Sequence, residues 1–103
     1  GDWSSDVCSS DLGEADKTAH EIFHQDVEWL KQANVVVAEI TIPSLGVGYE
    51  LGLAESLGKP ILCLFRENSG RILSGMISGN PHMQVHKYKT LEEAEAIIKT
   101  FFQ

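Results

Sequence analysis

The run "NVVVAEI" (residues 34–40), closed off by Pro43, is β-branched and apolar through its middle, which suits a strand buried on both faces. A second such run, "KPILCLF" (residues 59–65), follows a glycine-rich turn, "PSLGVG", and a helical stretch, "YELGLAESLG", that Gly58 can terminate. Buried strands alternating with helices imply an α/β fold, a parallel sheet built by right-handed crossovers.

The flanking segments extend this pattern. Over residues 15–33, apolar side chains recur at Ala19, Ile22, Phe23, Val27, Leu30 and Ala33, the spacing of an amphipathic helix. "SGRILSGMISGN" reads as a short helix or a loop, since each interior glycine costs about 1 kcal/mol against alanine. "MQVHKY" reads as a short strand. "TLEEAEAIIKTFF" reads as a closing helix with Thr90 as its N-cap, acids in the first turn and a stripe through Leu91, Ala94, Ile97, Ile98 and Phe101. Three strands are few for this architecture, so the chain is expected to be the C-terminal part of a larger unit, truncated at the N-terminus.

The first thirteen residues, "GDWSSDVCSSDLG", show neither structural period and are rich in Ser, Asp and Gly. They also resemble the translation of a sequencing adapter, in which case they replace a genuine N-terminus. Residues 1–13 are therefore expected to be disordered or artefactual, and residues 14–103 to form a single α/β domain.

Composition narrows the partners. The 103 residues, 43% of them hydrophobic, supply one modest core. A net charge of −7 opposes loose binding to a nucleic acid polymer or an anionic membrane. A small phosphorylated ligand remains compatible with that charge, because backbone amides at a helix start can hold it. The apolar runs are too short to cross a bilayer and no signal peptide is evident, so a soluble protein of the cytoplasm, with the nucleus as a further compartment, is expected. Of the two cysteines, Cys8 and Cys63, the second lies within an apolar run, and a buried free thiol is expected there rather than a disulfide.

"HEIFHQD" (residues 20–26) contains H-E-x-x-H, a zinc-protease signature. On a helical wheel at about 100° per residue, however, Glu21 and His24 fall opposite the apolar stripe, and no third ligand is evident downstream. A solvated helix face is expected, with no metal and no organic cofactor. Asp26 falls inside the apolar stripe on the same wheel, where a carboxylate is costly unless paired. It is either bonded to a neighbouring backbone amide or turned toward a ligand cleft.

The turn "PSLGVG" follows the first long strand and so lies at the carboxyl end of the sheet, where open α/β sheets bind ligands. Gly46 and Gly48 permit positive φ and close backbone approach, and Ser44 offers a hydroxyl. With the amides of the next helix they make a phosphate cradle, though one matching neither the nucleoside triphosphate nor the dinucleotide fingerprint. Glu50 is expected in the first helical turn, where the macrodipole favours its ionised form. It is either an ordinary helix-end acid or a nucleophile, and with Asp26 it forms the carboxylate pair that glycosidic cleavage employs.

The stretch from His20 to Tyr88, and most specifically "PSLGVGYELG", resembles the 2'-deoxynucleoside 5'-monophosphate N-glycosidases, relatives of the nucleoside 2-deoxyribosyltransferases. The resemblance implies a flavodoxin-like (Rossmann-like) sheet, a homodimer, and hydrolysis of the bond between base and deoxyribose 5-phosphate through a glycosyl-enzyme intermediate. By the same resemblance Glu50 is the nucleophile and Asp26 the carboxylate that orients substrate and manages the proton. Ser44 and Gly46 belong to the phosphate-binding turn. Ser74, Gly75 and Met76 of "LSGM" are offered to the partner subunit's site, so a monomer would have incomplete sites.

The family opens with a strand and a Gly-rich, Arg-containing loop that have no counterpart here. Val35 to Ala38 should then present an unpaired apolar edge, and the chain as it stands should turn over substrate poorly. A deoxyribosyltransferase and a non-catalytic nucleotide-binding or dimerising module are the competing readings. Trp29 is expected in the core, Tyr49 either stacks on a ligand or packs beneath the turn, and Arg66 and Arg71 are surface residues unless they reach a phosphate.

Overall fold

The computed structural model describes residues 7–8 and 18–103. In chain order these form β1 (Val7–Cys8), α1 (Ala19–Gln32), β2 (Val35–Glu39), α2 (Leu45–Ser56), β3 (Ile61–Arg66), a 3₁₀ turn (Glu67–Ser69), α3 (Gly75–Ser78), β4 (Gln84–Tyr88) and α4 (Leu91–Phe101). The strands make one parallel sheet in the order β1-β2-β3-β4.

Alternate residues of β2 and β3 enter two separate cores, which is why both runs are continuously apolar. On one face Val36, Ala38, Ile61 and Cys63 pack with Leu30 and Ala33 from the end of α1 and with Leu51 and Ala54 of α2. On the other face Val37, Leu62 and Leu64 meet Ile97, Ile98 and Phe101 of α4. The sheet is thus a middle layer between helices, as expected. Cys63 is fully buried as a free thiol, and burial pushes its pKa up to about 11.

The helix ends follow local rules. Thr18 and Glu21 form a reciprocal capping box at the start of α1. Thr90 caps α4 through the Glu93 amide, as read from the sequence. Gly58, at φ +72°, ends α2, while the amides of Gly58 and Lys59 donate to the carbonyls of Glu55 and Ala54.

Two expectations need correction. Val7 and Cys8, read as part of an unstructured segment, form a strand that pairs with Val35 and Val36, so the edge of β2 is covered at those two positions. The rest of residues 1–13 lies outside the described residues. The turn "PSLGVG" is not an open glycine loop: α2 starts at Leu45, so Gly46 and Gly48 lie inside the helix, and among the described residues only Gly58 and Gly70 have positive φ. Ser44 explains the earlier start, because its Oγ accepts from the Val47 amide at 3.3 Å and so nucleates the first turn despite two glycines.

Candidate active site

α1 and α2 lie side by side on one face of the sheet. The end of α1 reaches the core with Leu30 and Ala33, while residues of α1 between Ala19 and Leu30 and of α2 between Gly46 and Leu53 border a cavity of about 380 Å³. Asp26 and Glu50 both line this cavity, together with Ile22, Phe23, Gly46 and Tyr49. The two carboxylates singled out in the sequence therefore share one site.

The earlier helix start moves Glu50 into the second turn of α2, away from the first-turn amides. Its carboxyl is not held in the ionised form. Burial, and then the neighbouring Asp26 charge, raise its pKa from 4.5 to about 7. A group with such a pKa exchanges protons readily near neutrality, which suits acid, base and nucleophilic roles alike.

Phe23, expected in the core stripe, is 49% exposed, and Tyr49 is 61% exposed. Their rings meet edge to face with centroids 6.2 Å apart at the cavity. Tyr49 does not pack beneath the turn. Trp29, by contrast, packs against the core as expected.

The remaining predicted site residues divide around α2. Gly46 faces the carboxylate cavity, while Ser44, Ser74 and Met76 line a second cavity of about 380 Å³ on the other side of the helix, with Ile42, Ile72 and Ile77. Gly75 opens α3 and lines neither cavity. Within one chain the "LSGM" segment thus does not reach the carboxylates. Arg66 and Arg71 are exposed and line neither cavity; the Arg66 guanidinium donates to Asn68.

His20 and His24 stand on the exposed side of α1 with ring centroids 4.3 Å apart. Glu21 between them is engaged by Thr18, and no third His, Cys, Asp or Glu among the described residues joins them into a metal-binding group. Among the described residues, no helix is long and apolar enough to cross a membrane.

Sequence reasoning missed a polar cluster at the carboxyl ends of the strands. Glu39 accepts from the Thr41 amide at 2.7 Å, from the Thr41 hydroxyl at 2.8 Å and from the Tyr88 hydroxyl. The available signal was an acid closing an apolar strand two residues before a threonine.

Comparison with known proteins shows the family of the chain. The family model for nucleoside 2-deoxyribosyltransferase matches residues 4–95. A Mus musculus protein named 5-hydroxymethyl-dUMP N-hydrolase is 56% identical over 85 residues, covering 80% of this chain and 49% of that protein. The Homo sapiens protein of the same name is 54% identical over 91 residues, covering 85% of this chain and 50% of that one. The chain thus spans about half the length of these relatives. The structure of Clostridium botulinum CMP N-glycosidase, BcmB, shares the fold with a TM-score of 0.69 at 20% identity, covering 84% of this chain and 73% of that one. With a family model spanning most of its residues and its carboxylates gathered at one site, the chain belongs to the nucleoside 2-deoxyribosyltransferase family.

Proposed function

We propose that the chain carries the catalytic carboxylates of a hydrolase that cleaves the N-glycosidic bond of 2'-deoxynucleoside 5'-monophosphates. The observation that carries this reading is the placement of Asp26 and Glu50 in one largely apolar cavity. Ionised Glu50 attacks C1' as the C1'–N bond breaks, and the electron pair leaves with the base, which takes up a proton. Water then displaces Glu50 to give 2-deoxyribose 5-phosphate. Asp26 orients the sugar and passes the proton. The Glu50 pKa of about 7 leaves a large ionised fraction at and above neutrality, the form that attacks C1'.

The lining of the cavity supports the choice of substrate. Phe23 and Tyr49 offer ring faces to a base, and no Lys or Arg lines the site among the described residues, so backbone amides near Gly46 are the donors left for a phosphate. The names of the two mammalian relatives point to the same class of substrate.

A homodimer with shared sites belongs to the same proposal. Around the second cavity, Ile42, Ile72 and Met76 are 67%, 93% and 84% exposed, an apolar surface of the kind that a second copy of the chain would cover.

The test is release of free base from a panel of deoxynucleoside monophosphates that includes 5-hydroxymethyl-dUMP. Glu50→Ala should reduce release by at least about a hundredfold, the scale on which catalytic groups act. Release that is unchanged by Glu50→Ala would overturn the reading. Adding a second free base separates hydrolysis from sugar transfer, because only a transferase makes the new deoxynucleotide.

A further inference from the structure

Glu39, Arg66 and Tyr88 are the last residues of β2, β3 and β4, so three neighbouring strands end at one point. Thr41 joins them. Its hydroxyl donates to Glu39 at 2.8 Å and accepts from the Arg66 amide at 2.8 Å, and its own amide donates to the other Glu39 oxygen at 2.7 Å. The Tyr88 hydroxyl completes the set by donating to Glu39. Thr41 is a buried polar residue in this otherwise open loop, whose next members Ile42, Pro43 and Ser44 are all exposed.

The position of this knot in the chain gives it a consequence. Only Ile42 and Pro43 separate Thr41 from Ser44, the cap that sets where α2 begins. The start of α2 in turn sets the height at which Glu50 faces Asp26 across the cavity. The loop's other tie is the Ile40 amide to the Leu64 carbonyl at 2.9 Å, which fixes the strand exit but not the turn beyond it. We infer that Glu39, Thr41 and Tyr88 form a positioning latch, which pins the β2–α2 loop to the ends of β3 and β4 and so holds Glu50 against Asp26.

Glu39 is suited to this because an ionised carboxylate with three donors makes the stronger class of hydrogen bond, and each donor comes from a group with a fixed backbone anchor. The Tyr88 phenol shows the same coupling from its own side. Burial first, then its bond to Glu39 and the Glu39 charge, raise its pKa, with Arg66 and a bond to Thr41 opposing. The chemical importance of Glu50 rests on the reaction proposed above; the latch itself does not, and the test separates the two.

The test follows the Glu50 carboxyl by carbon-13 NMR titration and the amides of residues 41, 42 and 44–48 by hydrogen exchange, in the chain as it stands. Wild type should show a Glu50 midpoint near 7. Thr41→Val keeps size and charge but removes both hydroxyl bonds; the midpoint should fall toward the ordinary carboxylate range and exchange should rise by about tenfold or more, the scale for losing a hydrogen bond to a charged group. Thr41→Ser should restore both. If Thr41→Val does not fold, Tyr88→Phe, which removes only the outer donor, should shift both readouts in the same direction by less. A Glu50 midpoint and loop exchange that stay at wild-type values in every folded variant would overturn the latch, as would a wild-type Glu50 that titrates in the ordinary range. A midpoint that moves while wild type releases no base from any deoxynucleotide counts against the reaction and leaves the latch standing.

Discussion

Glu50 shares its cavity with Asp26, and the proximity of the two carboxylates adds to burial in lifting the Glu50 pKa to about 7. The folded chain therefore binds this proton more tightly than the unfolded chain does. That single relationship governs both stability and catalysis, and in opposite directions as pH rises.

For stability, the contribution is fully present below about 4.5, the ordinary value, and is lost as pH rises through about 7. Glu50→Gln should thus stabilise the fold near pH 8, by on the order of 1 kcal/mol after allowing for solvent screening of a half-buried group, and change little near pH 4. Calorimetric melting at the two pH values checks this, and a variant less stable than wild type near pH 8 would contradict it.

For catalysis, the nucleophile must be ionised. Base release should rise along an ascending limb with a midpoint near 7. Asp26→Asn removes the charge that helps raise this value, so the limb should move to lower pH even as the maximal rate falls. The pH profile of kcat/KM for the two proteins measures the displacement.

Phe23 and Tyr49 sit at the cavity with much of their ring surface exposed. Replacing either with alanine should leave the melting temperature nearly unchanged and weaken nucleotide binding by about 1 to 3 kcal/mol, the range for stacking a base on an aromatic ring. Titration of a deoxynucleoside monophosphate onto each variant, alongside a melting curve, reads both quantities.

Met76 and Glu50 line cavities on opposite sides of α2, which yields a complementation experiment. If sites are shared between subunits, Glu50→Ala and Met76→Ala chains should each be weak alone, and mixing them should return part of the activity as hybrid dimers assemble. Sedimentation of the wild-type chain should report a dimer, and Ile72→Asp should shift it toward monomer.

The core and the caps should respond on different scales. Leu30 is fully buried between α1 and the sheet, so Leu30→Ala should cost about 2 to 5 kcal/mol. Thr90→Ala removes one capping bond to Glu93 and should cost about 1 kcal/mol. Denaturant unfolding distinguishes the two.

β2, β3 and the last helix were legible in the sequence because their signals are local and redundant, whereas β1 was not. β2 and β3 are continuous apolar runs that burial on both faces demands, and α4 has a threonine cap, early acids and a regular stripe. The start of α2 was not legible, since Gly46 and Gly48 speak against a helix and only the Ser44 cap and the packing of Leu51 and Ala54 override them. Phe23 was misplaced for a related reason: the wheel reports which side of α1 is apolar, but not that this side borders a cavity along much of its length, where Phe23 stays exposed, and reaches the core only toward its end. Asp26 stood out because a charge in an apolar stripe needs an explanation. The Glu39 cluster joins residues 39, 41, 66 and 88, and contacts of that sequence separation leave no local periodicity to read.

Cys63 lies at the middle of the sheet, between Ala38 and Val85, with no exposed surface and a thiol that ionises only near pH 11. Since alkylating reagents attack thiolates, this side chain is unreactive until the central strands separate. Its rate of modification therefore reports how often the strands around it part, giving the protein a built-in clock for the opening of its core.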